Sequence, residues 1–397
     1  MTLDKYHWMC PEPFTNIYAS SQGWWKPCCV ITSRELYKYP DDMRNVTNAT
    51  HKEYWNTNIM KRMRKAMKDG GDDEFLFSVC GECKKREDKG VNSIRQWYLE
   101  RFYNDVGEFK EYKDEFEKIV DTECEPTFFH SMEFLADGGH ICNLSCNMCN
   151  EGSSNTYHKE ALRLGDYNQL RPYTSREIKE APDVANINLL ELKFTGGEPL
   201  MMKSMWDFIE KTNAKICRII TNMSVSILPK RWELFKKFDK VIVNVSIEGP
   251  EHINNYIRYP SKWDIIQNNI RIMSSMDNFS IYYVSTINAL NISHLPQIDD
   301  TPVIESVCES LVTNNFYNIT SIPPDIKDIY LDRLWSEKSL GKQDLVEKLT
   351  ILLETQEHNE VEMWKMLGHI KRRDIHRGTN LLNILPEWKN YYENSCC

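Results

Sequence analysis

Cys142-Asn143-Leu144-Ser145-Cys146-Asn147-Met148-Cys149 sets three cysteines in a C-x3-C-x2-C spacing. The stretch follows a short apolar strand candidate at 132–135. Zinc sites usually pair C-x2–4-C units and need a fourth ligand. No local Cys or His completes four here, and His140 and His158 are the nearest other candidates. Three thiolates on a four-iron cluster would instead leave one iron open to a small ligand. A zinc knuckle borrowing a distant ligand, or three buried thiols, are the competing readings. Downstream, Phe194-Thr195-Gly196-Gly197-Glu198-Pro199 closes the second strand candidate. Its glycines let the backbone pass close to a ligand, and Glu198 offers an acceptor suited to an amino group. Taken alone, this stretch also reads as a tight strand-to-helix turn.

Outward from these motifs the chain alternates β and α. Strand candidates lie at 132–135, 189–194, 217–221, 241–247, 280–286 and 303–312, with helix-length segments such as 200–212 and 263–274 between them. Six short apolar strands alternating with helices imply a parallel sheet, too few for a complete eight-unit barrel. Residues 1–50 read as irregular. Thr50-His51-Lys52-Glu53 matches a capping box opening a helix with Trp55, Ile59, Met63 and Met67 on one face and Gly70-Gly71 at its end. Ser93 and Gln96 open another helix, and a charged amphipathic stretch runs to about Val120. A domain boundary is expected between Glu123 and His130, where Pro126 interrupts. Beyond residue 313 come Pro323-Pro324 and helices, one with Leu345, Leu349, Leu352 and Leu353 on a face, and Gly378 as a stop.

With both motifs in this order, the chain resembles the radical S-adenosylmethionine (SAM) superfamily across about 132–312. The resemblance implies an α/β fold with a partial (β/α)6 TIM-like barrel. It implies that Cys142, Cys146 and Cys149 hold a [4Fe–4S] cluster and that Gly196, Gly197, Glu198 and Pro199 meet the methionine amino group of SAM. Thr221-Asn222 resembles the family's Thr-Asn turn. Val245-Ser246-Ile247-Glu248-Gly249 is similar to the strand lining the SAM ribose and carboxylate. Arg258 resembles the basic partner of the methionine carboxylate, and Asn291 the Asn of the next pocket loop. The family usually has an aromatic residue before the third cysteine; Met148 stands there, apolar and polarizable enough to pack on adenine. The implied chemistry is reductive cleavage of SAM to a 5′-deoxyadenosyl radical, which abstracts hydrogen from a substrate.

A second cysteine group lies at Cys10, Cys28, Cys29, Cys80 and Cys83, with Cys80-Gly81-Glu82-Cys83 a C-x2-C. Four thiolates in a reducing compartment mean zinc or an iron–sulfur cluster. The arrangement resembles a SPASM/twitch auxiliary-cluster domain, here N-terminal to the barrel. That resemblance implies a second [4Fe–4S] cluster on Cys10, Cys28, Cys80 and Cys83, with Cys29 a rival to Cys28. Four protein ligands favour electron transfer over substrate ligation. The implied division is 1–125 auxiliary iron–sulfur domain, 126–312 partial barrel and 313–397 helical C-terminal extension.

Composition narrows the rest. The 397 residues suggest two or three domains at roughly 150 residues each. With 41% hydrophobic and 27% charged residues the chain is an ordinary globular one. A net charge of −9 disfavours a dedicated nucleic-acid binder. The 13 cysteines are odd in number, so they cannot all pair as disulfides. No signal or membrane segment is visible, which points to the cytoplasm. The basic runs at 61–68 and 371–373 read as solvated helix faces. The expected enzyme modifies a peptide or protein side chain, with an electron donor such as flavodoxin or ferredoxin and the auxiliary cluster as electron acceptor. The alternatives are dehydrogenation of a small molecule, such as a sugar or cofactor precursor, and a zinc-stabilised binding module. An electron-transfer protein would need four ligands at each cluster, and the central motif supplies three.

Overall fold

The computed structural model describes residues 8–19, 24–31, 38–45, 49–70, 72–88, 93–105, 110–122, 129–135, 140–166, 188–298, 307–311, 316–337 and 342–395. In chain order its main elements are α1 (Glu12–Thr15), β1 (Asn16–Ala19), β2 (Trp25–Lys26), α2 (His51–Trp55), α3 (Asn58–Asp69), α4 (Asp73–Glu87), α5 (Ile94–Asp105), α6 (Lys110–Thr122) and β3 (Phe129–Leu135). Then follow α7 (Asn155–Leu164), β4 (Leu189–Thr195), α8 (Lys203–Lys211), β5 (Ile216–Thr221), α9 (Pro229–Glu233), β6 (Lys240–Ser246), α10 (Glu251–Ile257), α11 (Trp263–Ser274), β7 (Phe279–Ile287) and β8 (Val307–Leu311). The chain closes with α12 (Pro324–Ser336), α13 (Gln343–Thr355), α14 (Glu360–Arg377) and α15 (Lys389–Asn394). All six strand candidates fall on strands, the last over its described residues 307–311, and β3 to β7 alternate with helices in an α/β fold.

Two compact units divide the chain. The first comprises 1–139, 174–219 and 229–241; the second comprises 140–173, 220–228 and 242–397. In the first, the strand order is β2-β1-β3-β4-β5. β1, β3, β4 and β5 run parallel, and β2 returns antiparallel on β1. β4 is buried along Leu189, Leu190, Leu192 and Phe194, as expected of a strand covered on both faces. Two charges in this sheet answer each other: Arg218 on β5 donates to Glu191 on β4 at 3.0 Å. In the second unit β7 pairs parallel with β8, and β7 alternates buried and half-buried residues.

The local signals hold where capping chemistry is explicit. Thr50 and Glu53 make a reciprocal capping box on α2, and Ser93 and Gln96 make another before α5. Gly378 closes α14 at φ 67°, a left-handed position that glycine adopts without steric cost.

Three local readings need correction. Residues 1–50 are not irregular throughout: Asn16–Ala19 forms β1 against β3. The single helix expected from the Thr50–Glu53 capping box to Gly70 is two helices; Thr57 Oγ1 bonds back to Tyr54 O and α3 starts afresh. The C-x2-C pair sits inside α4, where no helix was expected; Phe75, Leu76 and Val79 bury one face of it. Cys124, Pro126 and the boundary residues 123–128, Gly71, and Cys396-Cys397 lie outside the described residues.

Candidate functional site

Most central candidate residues follow the C-terminal end of a strand, where parallel α/β sheets carry their ligands; Ser246 ends β6 itself, and Arg258 follows α10. The 140–150 loop follows β3, Gly196–Pro199 follows β4, and Asn222 follows β5; Glu248 follows β6 and Asn291 follows β7.

In the second unit the cysteine loop is held by its own backbone. Cys142 N–H donates to Asn155 Oδ1 at 3.1 Å, and Thr156 Oγ1 donates to Cys142 O at 2.6 Å. Ser145 N–H and Asn147 N–H donate to Tyr259 O and Ile257 O at 2.6 and 2.8 Å. Leu144 N–H points at Cys142 Sγ from 3.4 Å, and Asn222 Nδ2 lies 3.9 Å from the same sulfur. Asn222 also donates to Asn143 Oδ1 at 2.9 Å. Burial and the neighbouring Cys146 and Cys142 push the Cys149 thiol up to about 12. Burial and Glu248 push Cys146 up, with Arg258 and Arg377 opposing them. Metal ligands must be thiolates, so a metal loaded here would displace protons.

Beside the loop, three of the candidate residues form one network. Glu248, fully buried, accepts from Arg258 Nε at 3.0 Å, Thr286 N–H at 2.9 Å and Asn291 Nδ2 at 2.9 Å. Arg258 is half-buried, its side chain 12% exposed, and desolvation opposes its charge, yet Glu248, Cys146 and Cys142 together raise its pKa above the ordinary guanidinium value. Gly249 sits at φ 151°, and a Cβ there would come within 2.8 Å of Ile253 Cγ2, so only glycine fits without a shift. Ser246 and Met148 are half-buried.

In the first unit Gly196 adopts φ 117°. Glu198 is fully buried and accepts from Leu200 N–H at 3.1 Å. Elsewhere in this unit Cys10, Cys28, Cys80 and Cys83 line a single cavity with Glu12, Met63, Met67, Arg95 and Tyr98. Cys29 is not among its walls; its sulfur lies 2.7 Å from Tyr98 Oη. Burial pushes the Cys10 and Cys28 thiols well up, and Glu12 and neighbouring thiols add to it. The α4 end of the cavity is fixed by Arg95, which pairs with Glu87 at 2.6 Å and donates to Met9 O at 2.8 Å.

None of these seven candidate cysteines forms a disulfide. Among the described residues no three His, Cys, Asp or Glu side chains close on a single-ion site. The all-sulfur donor sets, with N–H groups aimed at Cys142 Sγ, fit iron–sulfur chemistry.

Sequence reasoning missed the residues behind the loop. Arg377 donates to Asn147 Oδ1, Ser145 O and Glu160, and Arg373 also pairs with Glu160. Arg373 is 1% exposed, so 371–373 is not a solvated face. Lys371 caps the carbonyls of Tyr392 and Ser395, and Arg372 pairs with Asp166. The run at 61–68 is more nearly as expected: Arg62 and Lys65 pair with Asp72 and Asp69 on the surface. Arg64 alone turns inward, to Trp55 O and the Trp55 ring. No helix among the described residues is long and apolar enough to cross a membrane.

The comparisons with known proteins come from structures and from sequence. anSMEcpe, solved with bound AdoMet, is 15% identical at a TM-score of 0.37, covering 53% of this chain and 61% of that one. Streptococcus suis SuiB bound to its precursor peptide SuiA is 12% identical at a TM-score of 0.33, covering 58% of this chain and 51% of that one. SuiB bound to S-adenosylmethionine is 11% identical at 0.34, covering 70% of this chain and 64% of that one. The chain therefore spans between 51% and 64% of the length of these solved structures. No curated protein matches it. Residues 138–294 match the family model of the Radical SAM superfamily.

Proposed function

We propose that the chain is a radical SAM enzyme in which Cys142, Cys146 and Cys149 hold a [4Fe–4S] cluster. The observation that carries this is one arrangement. Three thiols share a loop whose Asn147 and Ser145 N–H groups bond to Ile257 O and Tyr259 O, and between those two residues stands Arg258, anchored by Glu248 at 3.0 Å. When bound, the cluster and SAM supply a 5′-deoxyadenosyl radical that takes hydrogen from a substrate.

The residues of the chain do the binding and orienting. Glu198 receives the methionine amino group, with Gly196, Gly197 and Pro199 letting the ligand approach the backbone. Arg258 faces the methionine carboxylate, steadied by Glu248 and Asn291. Ser246 meets the ribose, Met148 packs on adenine, and Asn222 fixes the Cys142 arm of the loop. The barrel is a partial (β/α)6 one over 126–312, with a SPASM/twitch-like domain at 1–125 and a helical extension at 313–397.

The cavity walled by Cys10, Cys28, Cys80 and Cys83 favours an auxiliary [4Fe–4S] cluster that accepts an electron from the substrate. On that reading the enzyme oxidises a peptide or protein side chain in the cytoplasm, fed by a flavodoxin- or ferredoxin-like donor. Dehydrogenation of a small molecule is the second reading.

Anaerobic reconstitution tests the proposal. The parent chain should bind about eight irons, two four-iron clusters' worth, and release 5′-deoxyadenosine from SAM under a strong reductant. Replacing Cys142, Cys146 and Cys149 together by Ala should leave about half the iron and no SAM cleavage. Stoichiometric zinc with little iron would overturn it.

A further inference from the structure

We propose that Arg377, at the C-terminal end of α14, is a positioning residue that sets the arms of the loop bearing Cys146 and Cys149. The inference rests on the reading above for its link to the cluster, but its geometry stands without it. The family match ends at residue 294, so it gives residue 377 no role.

Arg377 uses its whole fork. Nη1 donates to Asn147 Oδ1 at 2.5 Å and Nη2 to Ser145 O at 2.6 Å. Nε and Nη2 each reach Glu160 on α7 at 2.7 Å. The guanidinium also lies over the Tyr259 ring, 4.7 Å from its centre, and Tyr259 O holds Ser145 N–H from the other side. Ser145 and Asn147 flank Cys146, and the Cys149 N–H bonds back to Cys146 O at 3.0 Å. A planar group in two directions at once fixes a backbone carbonyl and a side-chain amide together; a lysine, with one compact head, cannot.

Glu160 is the anchor of this fork. It also accepts from Arg373 and from Ser145 Oγ, so α7 and α14 meet on one carboxylate under the loop. Arg372, five residues earlier on the same helix, is the natural comparison. It pairs with Asp166 at 2.5 Å and, among the described residues, makes no hydrogen bond to the 140–150 loop. Losing Arg372 therefore removes an ion pair of α14 without loosening the cysteines. Partners behind a metal ligand typically change metal affinity by about 10–100-fold when removed.

The test uses the full chain as parent, Arg377→Lys, Arg377→Met and Arg372→Met. In the metal-free proteins, hydrogen exchange at the Ser145, Asn147 and Cys149 amides should quicken in both Arg377 variants, and not in Arg372→Met. After anaerobic reconstitution, iron loss to a chelator should quicken about tenfold or more. The electron paramagnetic resonance change on adding SAM should also shift in the Arg377 variants alone. Wild-type exchange and an unchanged spectrum in Arg377→Lys overturn the inference, as does equal loosening in Arg372→Met. A parent chain that takes no iron through Cys142, Cys146 and Cys149 instead overturns the reading of the cluster. The exchange data then still decide the role of Arg377.

Discussion

Replacing Glu248 by Gln should destabilise the chain by about 3–5 kcal/mol, the cost of breaking a buried ion pair. The figure follows from the lone pairs. One carboxylate oxygen of Glu248 accepts two N–H groups of Arg258; the other accepts Thr286 N–H and Asn291 Nδ2. A glutamine keeps a single acceptor oxygen. Its NH2 then faces either the guanidinium or the Thr286 and Asn291 donors, and two donors lose their acceptor. Asn291 cannot turn its own oxygen inward without loss, because Oδ1 already accepts Asn288 N–H at 2.9 Å. Each donor stranded in the interior costs about 1–3 kcal/mol, which agrees with the ion-pair estimate. The assay is urea unfolding of the metal-free protein, with hydrogen exchange at Thr286 as a local probe. The double variant Glu248→Gln/Arg258→Met should recover at least half the loss, since the uncompensated cation leaves with its partner. A single variant within about 1 kcal/mol of the parent, less than one stranded donor, refutes the reasoning. So does a double variant that costs the sum of both singles.

The Cys80→Ala/Cys83→Ala variant should still cleave SAM without substrate but fail to finish substrate oxidation. Product analysis checks this once circular dichroism shows a native fold, and normal product from a folded variant ends the electron-acceptor role. Burial pushes the Glu160 carboxyl up, but Arg377, Ser145 and Arg373 hold it below the ordinary carboxylate range. Its contribution is therefore whole above the unfolded value of about 4.3 and is lost as pH falls through the lower folded value. Glu160→Gln should flatten that acid limb of the stability curve; an unchanged slope would count against the clamp. Gly249→Ala should cost about 1–3 kcal/mol through backbone strain at its positive φ and the Ile253 contact, read as a lower urea midpoint.

Much of the α/β alternation was legible because its signals are local. β4 carries Leu189, Leu190, Leu192 and Phe194 within six positions, α11 begins and ends where its pattern does, and two capping boxes are spelled out in four residues each. β1 was not, because Asn16-Ile17-Tyr18-Ala19 is short, without alternation, and gains its conformation from hydrogen bonds to β3. α4 was obscured by Gly81, a poor helix former, between two cysteines that read as a metal loop. Of the site, the cysteines and Glu248, Arg258 and Asn291 could be picked out from motif position. Arg373, Arg377 and Glu160 could not: Arg377 meets Glu160 across 217 residues of chain, and no local pattern encodes so distant a partner.

The pairing of β1 with β3 sets a clock on the making of this protein. Asn16 lies opposite Ser131, so β1 has only the two-residue β2 beside it until more than a hundred further residues have been made. At roughly 5–20 residues per second, that wait is on the order of ten seconds. Cys10 and Cys28 flank β1, and their cavity partners Cys80 and Cys83 emerge midway through the interval. Four thiols thus reach the cell before the strand that seats two of them has its place in the sheet. An oxidant present in those seconds meets them in a chain that has not yet folded around them.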